Sequence, residues 1–558
     1  MIEDRLRLLI REAAEKAASE LGVDGPPGEV ELTRPPQKRF GDFSTNIALT
    51  WGSRVKRNPA EVAAAIRRNL PEVDFVSSAE VAGIGFINFH VTHAWLHDVL
   101  RDVVARGERY GRGEATTGER AQVEFVSPNP TGPLHVGTAR NAALGDAIAS
   151  LLEAGGWVVE RECYLNDAGR QMDLFAASVE ARYLELYGRP AEIPEGGYHG
   201  TYLVDVARSI AEELGDSLVR VPEEDRRARL LEEGTRAVLD MIRRTLARFG
   251  VRFDVFFSER QLHESGAIDE AVERLRRAGY VFESEGAVWF RATSVGDDKD
   301  RVLIRNTGAP TYFAADCAYV INKFDRGYDH LIYVWGADHH GDVARVRGAT
   351  KVLGYDPRRV EIIVYQLVSL FRGGEPVRMS KRTGEMITLD ELIDEVGTDA
   401  ARYTLLSRTP DTQIDFDIEV VTRQTLDNPV YYVQYAHARI ASILRHAEQQ
   451  GIEPAPIESA QLELLVHESE LSLLRKISEL PEEIGVAASL RAPYRLTRYA
   501  EELAGEFHRF YTDCRVVTDD PAMTQARLWL CVAAKQVVAN VLGVLGVSAP
   551  EKMERVDE

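Results

Sequence analysis

The sequence predicts an α/β protein: a mostly parallel, doubly wound sheet in the middle of the chain, a small α/β unit before it and an all-α helical bundle after it. Three observations lead there. From residue 121 to about 394, short apolar runs alternate with amphipathic stretches, the pattern of a parallel sheet with helices on both faces. A polar, Gly-rich segment at 105–120, "ARGERYGRGEATTGER", divides this region from a shorter mixed one. From about residue 395 onward the chain reads as helix after helix. A chain of 558 residues also exceeds what one core can fill, since cores stop growing near ~250 to 300 residues.

In order along the chain, residues 6–21 have helical spacing, and "PAEVAAAIRRNL" after Asn58 places a proline at a helix start. The alternating "GFINFHV" at 85–91 predicts a strand. In the middle region "QVEFV" (122–126), "VVERECYL" (158–165), "HLIYVWG" (330–336) and "VEIIVYQLV" (360–368) are the candidate strands. The acidic, mainly helical stretch 188–294 breaks their alternation and is expected to be an insertion. The resulting division is 1–108, 120–394 with its insertion, and 395–558.

Composition excludes several classes. With 45% hydrophobic and 28% charged residues the chain is ordinary for a globular protein. No apolar run is expected to span a membrane, and the N-terminus has acidic residues and helical spacing in place of a signal peptide's basic start and apolar block, so a cytoplasmic protein is expected. Cys163, Cys317, Cys514 and Cys531 lack CxxC spacing, which suggests buried small hydrophobes and no zinc site. A net charge of −21 argues against nonspecific nucleic-acid coating, since phosphate neutralisation by Lys and Arg dominates such binding. Basic clusters remain as surface candidates: Arg54, Lys56, Arg57, Arg67 and Arg68; Arg345, Arg347 and Lys351; Arg402, Arg408, Arg423 and Arg439.

Two segments carry chemistry. "VEFVSPNPTGPLHVGTARNAALGD" (123–146) reads as strand, sharp Pro/Gly loop, then helix, which presents free N–H groups and a positive dipole end to a phosphate. Leu144, Ala147, Ile148, Leu151 and Leu152 share one helix face, so the helix is expected to begin near His135 or Val136. His135 and Thr138 then lie side by side in its first turn, and Gly137 lets a flat ring approach the backbone. The second segment is "EPVRMSKRTGEMITLDEL" (375–392), where Arg378, Lys381 and Arg382 crowd one Gly-flanked loop, suited to closing on a polyphosphate as charge develops on a leaving group. Either segment alone also fits a bland reading: a helix-capping histidine, or an exposed basic turn.

Together, in this order and with a sheet region between them, the two segments resemble the HIGH and KMSK signatures of class I aminoacyl-tRNA synthetases. The flanking text is similar to the arginyl branch in particular, through "YLNDAGRQM" (164–172), "GYHGTYL" (197–203), "WGADHHGDVARV" (335–346), "DNPVYYVQYAHARI" (427–440), "FHRFYTDCRV" (507–516) and "LGVLGVSAPEKM" (542–553). The resemblance implies a Rossmann-type catalytic domain at 120–394, an N-terminal domain that meets the tRNA D-loop and a C-terminal anticodon-binding bundle. It implies ligation of L-arginine to tRNA in two steps. The carboxylate attacks the α-phosphate of ATP, then the ribose hydroxyl of the tRNA displaces AMP, with the 2′-hydroxyl attacking first as in class I. Mg²⁺ is expected to arrive with ATP, with no dedicated protein metal cage. The chain is expected to work as a monomer without a membrane partner.

A guanidinium substrate wants a bidentate carboxylate and an aromatic face. By resemblance, Glu124 and Asp316 supply the carboxylates, Tyr312 the ring, four residues before Asp316, and Asn129 the α-amino contact, with His135 and His340 also bordering arginine. ATP falls to His135, Gly137, Thr138, Asp338, Met379, Ser380 and Lys381, of which His135, Thr138 and Lys381 are the candidate catalytic donors; which of His339 and His340 makes the contact stays open. For tRNA, Phe86 and Asn88 alternate onto one strand face, and Tyr432, Tyr435 and Arg439 share a helix face beside an apolar stripe of Val430, Val433, Ile440, Ile443 and Leu444.

Thr138 departs from the signature, which ends in histidine. A neutral hydroxyl in place of an imidazole costs about 1 to 2 kcal/mol, a loss Arg140 or Lys381 is expected to offset. Two rival readings remain: another class I adenylate-forming ligase of the cysteinyl type, which needs metal-binding Cys/His in the pocket, and a noncatalytic tRNA-binding relative with a decayed site.

Overall fold

The computed structural model describes residues 2–23, 28–113, 118–189, 191–377 and 387–553. The chain divides into two compact units. One comprises Met1–Tyr110, Ala436–Leu480 and Glu502–Ala539; the other comprises Gly111–Tyr435, Pro481–Glu501 and Asn540–Glu558.

In the first unit the helix Ile2–Leu21 buries Leu6, Leu9, Ile10, Ala13, Ala14 and Ala17, a stripe at helical spacing. The Asn58 side chain caps the helix Pro59–Arg68 by accepting from the Ala60 N–H at 2.9 Å. Both accompany a four-stranded antiparallel sheet in the order Leu32–Thr33, Phe43–Thr45, Phe86–Val91, Val76–Ala82. The expected linker at 105–120 begins inside a helix, because Ala94–Arg106 continues through its first residues.

The second unit is built on five parallel strands in the order Val360–Tyr365, His330–Gly336, Arg120–Glu124, Val158–Leu165, Val255–Ser258. In chain order the sheet grows to one side of Arg120–Glu124 and then, from His330–Gly336, to the other. The order therefore reverses between those two strands, and the crevice beyond their C-terminal ends is where an open α/β sheet receives ligands.

Four expectations change. The stretch 188–294 is no uniform helical insertion: after the helices Tyr202–Leu214 and Glu223–Arg248, Val255–Ser258 returns to the main sheet as its edge strand. Residues from Val281 on begin an antiparallel sheet of Val281–Ser284, Ala287–Phe290 and Arg301–Ile304. "VEIIVYQLV" is two strands, because the Gln366 N–H leaves the ladder for the Pro410 carbonyl at 2.8 Å and Val368–Arg372 pairs with Ile414–Asp417. That last strand also interrupts the all-helical reading after 395. Finally, the helix Pro521–Leu545 is long and apolar enough to cross a membrane by composition, contrary to the expectation of no such run; 61% of its apolar window is buried within the protein, as in a core helix. All four cysteines are buried free thiols.

Candidate active site

The strand Arg120–Glu124 ends two residues earlier than its apolar pattern, in a left-handed turn: Val126 has φ 69° and Ser127 φ 38°. Such angles cost of order 1 kcal/mol or more for non-glycine residues, and a β-branched valine is an unusual occupant. Side chains hold the turn. The Val126 N–H donates to the Asn141 carboxamide oxygen, and the Asn141 amide donates to the Val334 carbonyl at 2.8 Å. One residue of the helix Ala139–Ala154 thereby staples the two strands at which the sheet reverses. The helix approaches closely because residue 145 is glycine: a Cβ there would lie 2.2 Å from the Phe125 ring.

His135 and Thr138 do not share a helical turn. His135 is extended (φ −94°, ψ 161°), Val136–Thr138 forms a 3-10 turn, and the α-helix starts at Ala139. The physical reason is a backbone pairing. The Val136 N–H donates to the Ile387 carbonyl at 3.0 Å and the Leu389 N–H to the Leu134 carbonyl at 2.8 Å, with His135 bridged to Thr388. Met379, Ser380 and Lys381 lie outside the described residues; the chain re-enters them at 387, already bonded to the His135 turn. Gly137 has a specific cause, since a Cβ would stand 2.8 Å from the His135 ring and displace it. Thr138 is the N-cap residue, yet its hydroxyl makes no capping bond.

Arg140 is not available to compensate Thr138. It is 1% exposed, and its guanidinium donates to the carbonyls of Gln366 (2.6 Å), Thr412 (2.8 Å) and Thr409 (2.9 Å), anchoring the helix start. Arg402, expected among the surface cations, is also buried, bonded to Asp146 at 2.6 Å and to the carbonyls of Phe249 and Leu545.

Next to the turn the sheet and the helix Tyr312–Asp325 assemble an acidic cluster from Glu124, Glu259, Asp316 and Asp342. Burial pushes the Asp316 carboxyl up to about 7; the charges of Glu124, Glu259 and Asp342 push the same way, and Arg345 opposes them. Arg345 is itself bound to Asp342 at 2.8 Å. The Tyr312/Asp316 pair is helical as expected, with Tyr312 55% exposed at the helix start and its ring accessible. Glu124 is already engaged, accepting from the buried Lys323 ammonium at 2.6 Å and from the Ser127 hydroxyl at 3.1 Å.

Four participants were missed from sequence: Asn141, Lys323, Asp342 and Glu259. Glu259 is 3% exposed, its carboxyl is raised by burial, and one of its oxygens has no hydrogen-bond partner among the described residues. A buried carboxylate oxygen left open beside Asp316 is a ready acceptor for a cationic ligand. Its only sequence signal was an acidic residue at a strand end, which "FFSER" does not distinguish from a solvated one.

Around the cluster, Asn129 is exposed and donates to Gln171 at 2.6 Å, and the Tyr202 hydroxyl steadies the loop by donating to the Thr131 carbonyl at 2.5 Å. Asp338, His339 and His340 follow the strand His330–Gly336 in the 3-10 segment Ala337–Asp342, all exposed. His339 bonds to Asp342 at 3.2 Å, which raises its pKa; His340 stands beside it in solvent. The sheet thus sets the loop that leads into "HVGT" and the "GADHHG" segment after neighbouring strands, Arg120–Glu124 and His330–Gly336.

The distal candidates divide. Phe86 is 39% exposed, but Asn88, expected beside it, is buried and accepts from the Ser44 hydroxyl at 2.7 Å, so the two do not form one exposed reader. On the helix Pro429–Gln449, Tyr432, Tyr435 and Arg439 are half-buried. Val430, Val433 and Ile440 are in the core as expected, while Ile443 and Leu444 are only partly covered. Tyr435 stacks on Tyr431 with centroids 6.0 Å apart, and Arg439 lies 4.4 Å over the Tyr511 ring.

Comparison with known proteins agrees with this layout. Three family models match: the arginyl tRNA synthetase N terminal domain over residues 4–91, the catalytic domain of the class I (R) tRNA synthetases over 100–440, and the DALR anticodon binding domain over 433–553. Arginine–tRNA ligase of Heliobacterium modesticaldum is 50% identical over 558 residues, covering 99% of each chain. That of Moorella thermoacetica is 50% identical over 542 residues, 97% of each. The solved arginyl-tRNA synthetase of Thermus thermophilus shares the fold, with a TM-score of 0.71 at 24% identity over 98% of this chain and 100% of that one.

Proposed function

The chain belongs to the arginyl-tRNA synthetases, class I enzymes that ligate L-arginine to tRNA with ATP as second substrate, and on that premise we propose which residues carry the reaction. Arginine's guanidinium enters the acidic cluster, where Asp316 and Glu124 supply carboxylates, Tyr312 a ring face, and Glu259 a further acceptor. Asn129 takes the α-amino end, and His135 and His340 border the carboxylate that attacks. The observation that carries this reading is an acidic cluster beside the Val126–Ser127 turn, with Glu124 and Glu259 buried, Asp316 and Asp342 half-buried, and the Asp316 carboxyl pushed up to about 7 by burial. ATP is held by His135, Gly137, Thr138 and Asp338, with Met379, Ser380 and Lys381 closing over the phosphates.

The protein needs no nucleophile of its own. It aligns the arginine carboxylate with the α-phosphate and places donors, His135, Thr138 and Lys381, where charge develops on the phosphate oxygens. The tRNA hydroxyl then displaces AMP at the activated carbonyl. Among the described residues no group of three or more His, Cys, Asp or Glu is placed to hold a metal ion. Mg²⁺ would arrive on the ATP phosphates, with Asp338 as an exposed carboxylate after the strand His330–Gly336.

We assign residues 1–108 to a tRNA D-loop domain, 120–394 to catalysis and 395–558 to anticodon binding, in a cytoplasmic monomer with no membrane attachment. Phe86, Tyr432, Tyr435 and Arg439 are the tRNA contacts, and the buried Asn88 supports the strand that carries Phe86 without touching RNA itself. Tyr432→Ala is expected to weaken tRNA binding by about five- to hundredfold, the worth of one base stack, with arginine KM unchanged. Equal tRNA affinity in a filter-binding titration would remove Tyr432 from the interface.

L-Citrulline tests the acidic cluster, since it has arginine's shape without the charge. A site built around buried carboxylates rejects it, so ATP–pyrophosphate exchange in the presence of tRNA is expected at a kcat/KM about 10⁴-fold below that for arginine. Comparable use of the two amino acids would refute the assignment. Thr138→His restores the missing imidazole. A rise of about ten- to thirtyfold in the activation rate would mark the threonine as a deficit, and an unchanged rate would mark it as fully compensated.

A further inference from the structure

We propose that Lys323 is a positioning residue for arginine recognition: from beneath the pocket it holds the Glu124 carboxylate in one orientation. The proposal rests on the assignment of Glu124 to the guanidinium. Lys323 lies two turns along the helix Tyr312–Asp325 from Asp316, so the same helix supplies a substrate acid and the support for the other. Its side chain is 0% exposed, and the ammonium has three neighbours: Glu124 Oε2 at 2.6 Å, the Tyr333 ring centroid at 3.8 Å and the Tyr319 ring centroid at 4.2 Å. Two aromatic faces and one carboxylate form a buried cation site.

The other buried acid in the layer does not compete. Glu162 is 0% exposed, but it accepts from the Tyr319 hydroxyl and from Arg326, and so has its own partners. The Glu162 charge acts on the ammonium only at a distance, while the hydrogen bond goes to Glu124, whose second oxygen is tied to Ser127 at the strained turn. Without Lys323, Glu124 would be a buried carboxylate among other acids with no cation partner, and would turn away from its present orientation. Burial drives the Lys323 amine toward its neutral form, with the Arg326 charge pushing the same way, and the charges of Glu124 and Glu162 resist that.

The test is a double-mutant cycle in the full-length enzyme, reading KM for arginine, KM for ATP and kcat in tRNA aminoacylation. Lys323→Met is expected to raise arginine KM by about ten- to hundredfold, the loss of one charge-assisted hydrogen bond, with kcat and ATP KM nearly unchanged. In a Glu124→Gln background the same substitution is expected to add nothing, because there is no carboxylate left to position. Lys323→Arg should restore part of the arginine affinity. If Lys323→Met does not fold, the double variant, which buries no lone charge, is compared with Glu124→Gln: equal arginine KM supports the proposal and a further rise overturns it. A folded Lys323→Met with normal arginine KM, or effects that multiply, also overturns it while leaving Glu124 in place. Normal arginine KM in Glu124→Gln itself refutes the underlying assignment, a separate outcome.

Discussion

Asp316→Ala is expected to abolish arginine-dependent pyrophosphate exchange at ordinary substrate concentrations while ATP binding stays measurable. Removing one partner of a buried charge pair costs about 2 to 5 kcal/mol, so arginine KM should rise by roughly thirty- to several-thousandfold. Normal arginine kinetics in a folded variant would refute the pocket. The pH dependence follows from the position of Asp316 at about 7. Only the ionised carboxylate pairs with a guanidinium, so in the wild type arginine KM should fall as pH rises through about 7 and level off above it. In the free enzyme the sign for stability is opposite. A carboxyl raised in the folded state stabilises most below its unfolded value near 4 and progressively loses that contribution as pH rises through about 7. Asp316→Asn should therefore melt at an equal or higher temperature than wild type at neutral pH, while binding arginine poorly. Parallel loss of both properties would mean the residue is structural.

His135→Ala is expected to lower kcat for arginine activation by about 10²- to 10³-fold, the usual cost of deleting one donor aimed at transition-state charge, with a smaller change in KM for ATP. The turn should survive, because it is held by the backbone of Leu134 and Val136 against Ile387 and Leu389 and by the Asn141 staple, none of which uses the imidazole. Single-turnover formation of the adenylate is the measurement. A decrease under about fivefold would assign catalysis to other groups. Gly137→Ala, whose Cβ would press on the His135 ring, should reproduce part of the defect with the imidazole still present.

Much of the architecture was legible in the residues because it rests on local periodicity. "VVERECYL" and "HLIYVWG" are strands over the expected residues, and Asn58-Pro59 starts a helix, since alternation and capping depend on neighbours in the chain. The reading failed where a distant partner decides the backbone. Gln366 leaves its strand for Pro410 and Arg140, and Val126 and Ser127 turn left-handed under Asn141. His135 stays extended because Ile387 and Leu389 bind its neighbours. No window of the sequence contains both members of these pairs.

The site shows the same division. His135 was a candidate from its motif, and Glu124 and Asp316 were candidates from the resemblance, because the chemistry of a guanidinium and a phosphate restricts which residue types can serve. By itself, then, the sequence determined the order of domains, the family and the substrate chemistry, all of which live in local pattern and side-chain type. Tertiary structure alone decided the electrostatics: that Arg140 and Arg402 are engaged by carbonyls and by Asp146, that Lys323 already holds Glu124, and that burial pushes the Asp316 carboxyl up to about 7. Burial and the approach of charges from separate strands set those properties, and both exist only once the sheet has brought its crossing segments together.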